Sequence, residues 1–529
     1  MMASVDSEQL SSSEGEIMAN SIPLPGFLLS LVLALGSVLM LLFIGEKSLW
    51  IDEVLSVAYA SNDWKGLWRL VSGEQANMGL YYVLLHYWLS LGETEFVVRS
   101  LSVAFALASV PFVYTLGARL FGQQEGIIAA LLLAVNAFFV RYAQEARGYT
   151  LAVLLVSVSS YFFVRALQQP SKKNWAGYIA ASVLAVYSHF FAVLVLITHV
   201  ISLIFLRPQD IRWKSLIISE LLTVFMLSPL GFFVIVRDSG QLDWLREPGL
   251  TNLYGLFSAL SGDGGAMLVA TYFAICSIAC FWGLRTWYRS GASFETWRFG
   301  FLLIWLVVPV LITFLFSFVK PVFQYRYLLI SLPPLCVLAA AGLSRIQHRL
   351  LFAAVLLCII GLSASGLGKW YVIAQKQNWR QATSFVLSRA RRGDAIIFHV
   401  YPGKVAFEYY IERLNLKKEG VSVLEISSGP WMPGNRQPEP SQLVLKDIPV
   451  QYSRVWLVLC RDEFPLGHPL RRSEQRELIR DSLLRHYELM QNIFFHPGIT
   501  IQLYEKLKQE KPREMKKSGL DFQQRLGFA

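Results

Sequence analysis

Up to residue 370 the sequence passes through one apolar window after another, and this succession limits the fold more than any other feature. A helix needs about 20 apolar residues to cross a bilayer. Windows near that length lie at 26–45, 79–91, 99–118, 126–143, 148–164, 175–189, 190–206, 215–236, 266–284, 299–319, 327–343 and 350–369. Of the 529 residues 54% are hydrophobic and 16% charged, with a mean hydropathy of +0.44. Soluble domains average about 25% charged residues. The chain therefore reads as a multi-pass α-helical membrane protein. After residue 377 charges return and apolar runs shorten to strand length, so a small soluble C-terminal domain follows the membrane domain.

Window 79–91, "GLYYVLLHYWLSL", is short and contains His86, which favours an interfacial or re-entrant segment over a span. Charge decides the parity. If this segment does not cross and the N-terminus is cytoplasmic, the inner loops carry Arg119, Arg165, Lys172, Lys173, Arg207, Arg212, Lys214, Arg285, Arg289, Arg298, Arg345 and Arg349. The outer loops beyond residue 120 then carry only Arg147, Arg237, Arg246, Lys320 and Arg326. Positive residues concentrate on the cytoplasmic side, so the expectation is about eleven transmembrane helices. Residues 46–98 form one long external loop lying along the membrane. This parity puts Asp52, Glu53, "RYAQEARGY" (141–149), His189, "KPVFQYRY" (320–327) and the C-terminal domain on one outer face.

The net charge of +11 follows from the loop lysines and arginines and is no nucleic-acid signal. Residues 1–25 read as a polar N-terminal tail without the basic flank and cleavage site of a signal peptide, so the first span is expected to stay as an anchor. Residues 508–529 read as a basic disordered tail. The five cysteines show neither zinc-site spacing nor a disulfide framework.

Residues 377–507 alternate helix and strand. "NWRQATSFVLSRARR", "KVAFEYYIERLN" and "SEQRELIRDSLLRHYELMQ" read as helices. "DAIIFHV", "VSVLEI", "RVWLVLC" and "ITIQLYE" read as strands, giving a small α/β layer with a mostly parallel sheet. Residues 429–438 read as a flexible insertion. No phosphate-binding glycine loop is present, and the domain is expected to serve structure or acceptor recognition.

The ionisable residues near the spans carry the chemistry. In "SLWIDEVLSVAYA" (48–60), Asp52 and Glu53 follow Trp50 and precede an apolar run, which places them at the interface. Partial desolvation there makes a carboxylate a better base. Glu145 and Arg147 lie at a helix end and read either as an ion pair or as site residues. His189 at a span boundary reads either as a hydrogen-bonded imidazole or, with Glu145, as part of a divalent-metal site. Arg326 between Tyr325 and Tyr327, with Lys320 nearby, reads either as an interfacial snorkelling arginine or as a fork for a lipid phosphate.

Taken in order, "W-x-DE" after the first span, "NMGLYYVLLHYWLSLGETEFVVRSLSVAFA", "RYAQEARGYTL", "YSHFF" and "YRYLLISLPPL" resemble the GT-C membrane glycosyltransferases. The group concerned contains the protein O-mannosyltransferases and the lipid A aminoarabinose transferase (glycosyltransferase family 39-like). One departure is Asn77-Met78-Gly79, where that family usually carries His-Pro-Pro or Lys-Pro-Pro. The resemblance covers residues 26–370 and extends weakly into "QNWRQA". It implies a polyprenyl-phosphate sugar donor, a lipid, glycan or protein acceptor on the outer side, and inversion at the anomeric carbon. It further implies Asp52 as general base with Glu53 as helper, and Arg326 with Tyr325 or Tyr327 on the leaving phosphate. Glu145, Arg147, His189 and Lys320 would line the site, and Glu145 and His189 would hold a divalent metal if one is used. Readings from other classes are a multi-pass transporter, which would show internal repeats, and a non-catalytic subunit that binds a lipid-linked sugar.

Overall fold

The computed structural model describes residues 24–73, 76–236, 247–399, 401–417, 419–425, 452–460, 473–495 and 497–507. The expectations for residues 429–438, for the tail 508–529 and for most of the N-terminal tail lie outside these. Each apolar window coincides with helix. Among the described residues eight helices are long and apolar enough to cross a membrane, or nine if one bent pair counts as a single span. The expected eleven therefore exceeds what length and apolarity support.

The shortfall has physical causes. Window 126–143 is two helices, Gln123–Ala134 and Ala137–Ala143, bent by 62°. Asn136 sits at the break. Its Oδ1 accepts from Phe139 N at 3.0 Å as an N-cap, and its Nδ2 donates to Leu260 O at 2.9 Å. Window 190–206 is the short helix Ala192–Ser202 with a 3₁₀ turn, Leu203–Phe205, behind it. Window 175–189 is Lys172–Ser188, of 17 residues, capped by Ser171. Window 79–91 is the short helix Gly79–Trp88, as expected of a segment that does not span.

The helix ends gather into two sets. At one end Arg119 donates to Gln168 at 2.9 Å, Arg298 to Leu120 O at 2.9 Å and Arg207 to Ala292 O at 2.9 Å. The loops richest in positive charge meet there. At the other end residues 46–98 fold into three short helices, Ile51–Ala60, Trp64–Val71 and Gly79–Trp88. Thr94 Oγ1 accepts from Val97 N at 3.2 Å and so starts the long helix Glu95–Leu120.

The C-terminal domain holds a five-stranded sheet of order β2-β1-β3-β5-β4, with β1 Ala395–Phe398, β2 Ser422–Glu425, β3 Arg454–Cys460, β4 Tyr487–Phe495 and β5 Ile499–Lys506. β1 runs parallel to β2 and β3, whereas β5 is antiparallel to both β3 and β4. The sheet is thus mixed rather than mostly parallel. The cause is "SEQRELIRDSLLRHYELMQ", which is not one helix: Ser473–Leu484 is helical, and Tyr487–Phe495 turns back as β4. A hairpin with β5 then replaces the last crossover.

The period of two along the strands sorts the sheet into two faces. Ala395, Ile397, Val455, Leu457 and Tyr504 pack on Ile479 and Leu483. Ile396, Phe398, Trp456, Val458 and Ile501 pack with Trp379, Phe407 and Tyr410. That second cluster continues without a break into Leu49, Ile51, Val54 and Leu55, which follow the first membrane-length helix. The two parts of the chain share one hydrophobic core, and the helix carrying Asp52 and Glu53 belongs to it.

Candidate active site

The acidic pair occupies the first turn of Ile51–Ala60, where two carboxylates complement the positive end of a helix. Adjacent helical residues point about 100° apart, and the two side chains separate accordingly. Glu53 turns inward and is fully buried. Its carboxylate accepts from Arg99 Nε at 2.8 Å, Arg99 Nη2 at 2.8 Å, Ala146 N at 3.0 Å, Lys376 Nζ at 3.2 Å and Trp50 N at 3.3 Å. Burial pushes this carboxyl up, but Arg99 and then Lys376 outweigh it and hold it down at about 2. Arg99 spends its remaining donors on the carbonyls of Ile44 at 2.7 Å, Lys47 at 2.7 Å and Ser48 at 3.0 Å. Glu53 is thus the centre of a knot joining the acidic helix, the loop after Ala143, the helix Glu95–Leu120 and the linker before the sheet domain.

Asp52 faces the other way, toward Arg326. Arg326 Nη1 lies 3.3 Å from Asp52 Oδ2, and the two side chains keep 14% and 15% of their exposure. This acid–base pair joins the acidic helix to the segment Tyr325–Ser331. The guanidinium of Arg326 also stacks over Trp50 and Tyr327, at 5.7 and 5.6 Å from their centroids. Arg147 lies beside this pair, with Nη1 3.2 Å from Tyr82 OH, 3.3 Å from Ser56 Oγ and 3.4 Å from Asp52 O.

His189 is 1% exposed and stands among rings, 5.1 Å from Tyr327, 5.6 Å from Phe191 and 5.7 Å from Tyr149. Its Nδ1 accepts from Phe191 N at 3.3 Å, so Nε2 carries the proton, and that atom is buried without a hydrogen-bond partner. Asn77 Oδ1, in the departing Asn-Met-Gly corner, accepts from the adjacent Phe190 N at 3.2 Å. Met78 holds that corner in a left-handed conformation at φ 71°.

Tyr325 turns away from the cluster, its hydroxyl lying against Gly255 where any Cβ would collide with it. Half-buried Lys320 sits in the turn before it, at the same end of the bundle. Glu145 does not join His189. Its Oε1 lies 3.6 Å from Lys376 Nζ and 4.0 Å from Arg141 Nε. Among the described residues no group of three or more His, Cys, Asp or Glu side chains gathers as a metal would need. A carboxylate facing two cations and an imidazole boxed by rings do not fit a divalent metal.

Sequence reading passed over Arg99 and Lys376. Arg99 did leave a signal, a lone arginine at the head of an apolar window. Lys376 left none, being one lysine in a polar linker.

The chain is an integral membrane protein, a bundle of membrane-length helices with an acidic helix after the first of them and a fused α/β domain, and its fold is of the GT-C type that the motifs resemble. Within that class, residues 77–233 match the model of the family described as dolichyl-phosphate-mannose-protein mannosyltransferase. The chain is similar in structure to ArnT from Cupriavidus metallidurans, solved in the apo state and bound to undecaprenyl phosphate. For the apo structure the TM-score is 0.60 at 12% identity, over 90% of this chain and 97% of that one. It is also similar to the Archaeoglobus fulgidus oligosaccharyltransferase, solved with zinc and sulfate, at a TM-score of 0.52 and 12% identity over 81% of this chain and 67% of that one. A third match is the mycobacterial arabinofuranosyltransferase AftD, at 0.50 and 14% identity, over 90% of this chain and 41% of that one. No curated protein matches the chain.

Proposed function

We propose that this protein is a membrane glycosyltransferase that takes its sugar from a polyprenyl-phosphate donor and delivers it, with inversion, to a hydroxyl acceptor on the extracytoplasmic side. The observation that carries this reading is the partly exposed pair of Asp52 and Arg326 at 3.3 Å, a base and a phosphate fork together at one end of a GT-C bundle. The match to the mannosyltransferase family and the undecaprenyl-phosphate complex of ArnT support the choice of donor.

In the reaction the acceptor oxygen attacks the anomeric carbon while the bond from that carbon to the phosphate oxygen breaks. The bonding electrons leave with the phosphate, and the acceptor's proton passes to Asp52. Arg326 meets the charge that develops on the phosphate, which is where a fixed cation lowers the barrier. An incoming phosphate competes with Asp52 for Arg326 and so releases the carboxylate for the acceptor. Inversion demands base and leaving group on opposite sides of the sugar, so the pair must open as the sugar enters between them. Tyr327, His189 and Tyr149 supply ring faces and a buried N–H for that sugar.

The test is transfer of radiolabelled sugar from undecaprenyl-phosphate donors in membranes containing the chain. The expected result is transfer by the wild type and a loss of at least a hundredfold in Asp52→Asn, with donor binding kept. Full activity in that variant would overturn the assignment of the base.

A further inference from the structure

The linker between the last membrane helix and the sheet domain carries a lysine whose position the reaction above does not explain. Lys376 is 7% exposed at its side chain. Its Nζ reaches Glu53 Oε2 at 3.2 Å, Gln144 O at 3.3 Å and Glu145 Oε1 at 3.6 Å. Burial pulls its pKa down, while Glu53 and Glu145 oppose that. A buried ammonium between two buried carboxylates costs desolvation energy that a hydrophobic residue would avoid, so its purpose needs an account other than stability.

Charge balance supplies one. Glu53 is already neutralised by the forked Arg99, at 2.8 Å on each of its oxygens. Glu145 has Lys376 as its nearest cation at 3.6 Å, while Arg141 stands at 4.0 Å with 45% of its side chain exposed and the buried Arg99, forked on Glu53, attracts it from farther off. Glu145 lies two residues before Arg147, whose guanidinium reaches the backbone of Asp52. An uncompensated negative charge there would face the phosphate that Arg326 must receive. Like charges about 12 Å apart, at an effective dielectric of about 20, repel by enough to weaken binding about tenfold.

We propose that Lys376 is a positioning residue for the donor: it cancels the charge of Glu145 behind the Asp52–Arg326 pair, so that an anionic lipid phosphate can settle on Arg326. This rests on the reading of the site as a lipid-phosphate transferase. It also gives the sheet domain a part in donor capture, because Lys376 lies three residues before Trp379, which is locked in the core shared by both domains.

The experiment measures the affinity of full-length protein in detergent for undecaprenyl phosphate, with undecaprenol as the neutral control. Wild type that does not prefer the phosphate to the alcohol would overturn the transferase reading and this proposal with it. Given that preference, Lys376→Met should bind the phosphate about tenfold more weakly and the alcohol unchanged. Lys376→Arg should stay within about twofold of wild type. The decisive variant is Lys376→Met with Glu145→Gln, which removes one charge of each sign and should recover wild-type phosphate affinity. A purely structural lysine would not be rescued by a second loss in the same knot. Unchanged affinity in Lys376→Met, or no recovery in the double variant, would overturn the proposal. Should Lys376→Met fail to fold, Glu145→Gln alone must tighten phosphate binding, and no tightening would overturn it equally.

Discussion

Two neighbouring carboxylates in one helical turn do different work because of where their Cβ atoms point. Glu53 enters a cage of five donors, whereas Asp52 faces Arg326 at 3.3 Å and keeps some exposure. Glu53→Gln should lower thermal stability by about 3–5 kcal/mol, because it leaves Arg99 buried without its counter-charge and Lys376 with Glu145 alone. The Glu53 carboxyl also makes stability pH-dependent. Its folded value of about 2 lies below its ordinary 4.5, so the stabilisation is complete above 4.5 and is lost as pH falls toward 2. Melting in detergent between pH 7 and 3 should show that decline in wild type and a flatter profile in Glu53→Gln. Arg326→Ala should weaken binding of undecaprenyl phosphate at least tenfold; equal affinity would leave Arg326 as an interfacial anchor only.

At the scale of elements, the acidic helix is held from behind by the sheet domain. Tyr410 OH accepts from Leu49 N at 2.7 Å and Ser48 Oγ at 3.0 Å, and donates to Glu95 at 3.1 Å. Tyr410→Phe strands a buried N–H of the segment leading into that helix, at a cost of about 1–3 kcal/mol. A lowered melting temperature together with reduced transfer is the expected outcome, whereas a stable, fully active variant would show that the helix is fixed without this contact. Such contacts explain what the sequence could and could not disclose. Apolar length located the membrane-length helices among the described residues, and the acidic pair stood out as a candidate, because both are local properties. The bend at Asn136 and the turn after Leu484 depend on partners such as Leu260 and β5, distant in the chain, so one helix was expected in each place. Glu145 and His189 share one end of the bundle, as charge parity implied, but which neighbours each meets is a packing outcome. Lys376 and the loop after Ala143 are more than two hundred residues apart, and no periodicity links them.

For the whole molecule the orientation has a direct test. The helix ends form two sets, one joined by Arg119, Arg207 and Arg298, the other holding Asp52 and Arg326. Asn62 and Ser171 are exposed at opposite ends. In intact cells a membrane-impermeant thiol reagent should modify Asn62→Cys and leave Ser171→Cys untouched. The reverse pattern would place the site in the cytoplasm.

The core common to sheet and acidic helix also sets the terms for anyone recombining such chains. Exchanging only the portion after residue 377 would separate Trp379, Phe407 and Tyr410 from the Leu49, Ile51 and Val54 they were matched to. A workable graft carries the stretch 46–60 together with the sheet domain, as one unit of inheritance that the chain happens to interrupt with a membrane bundle.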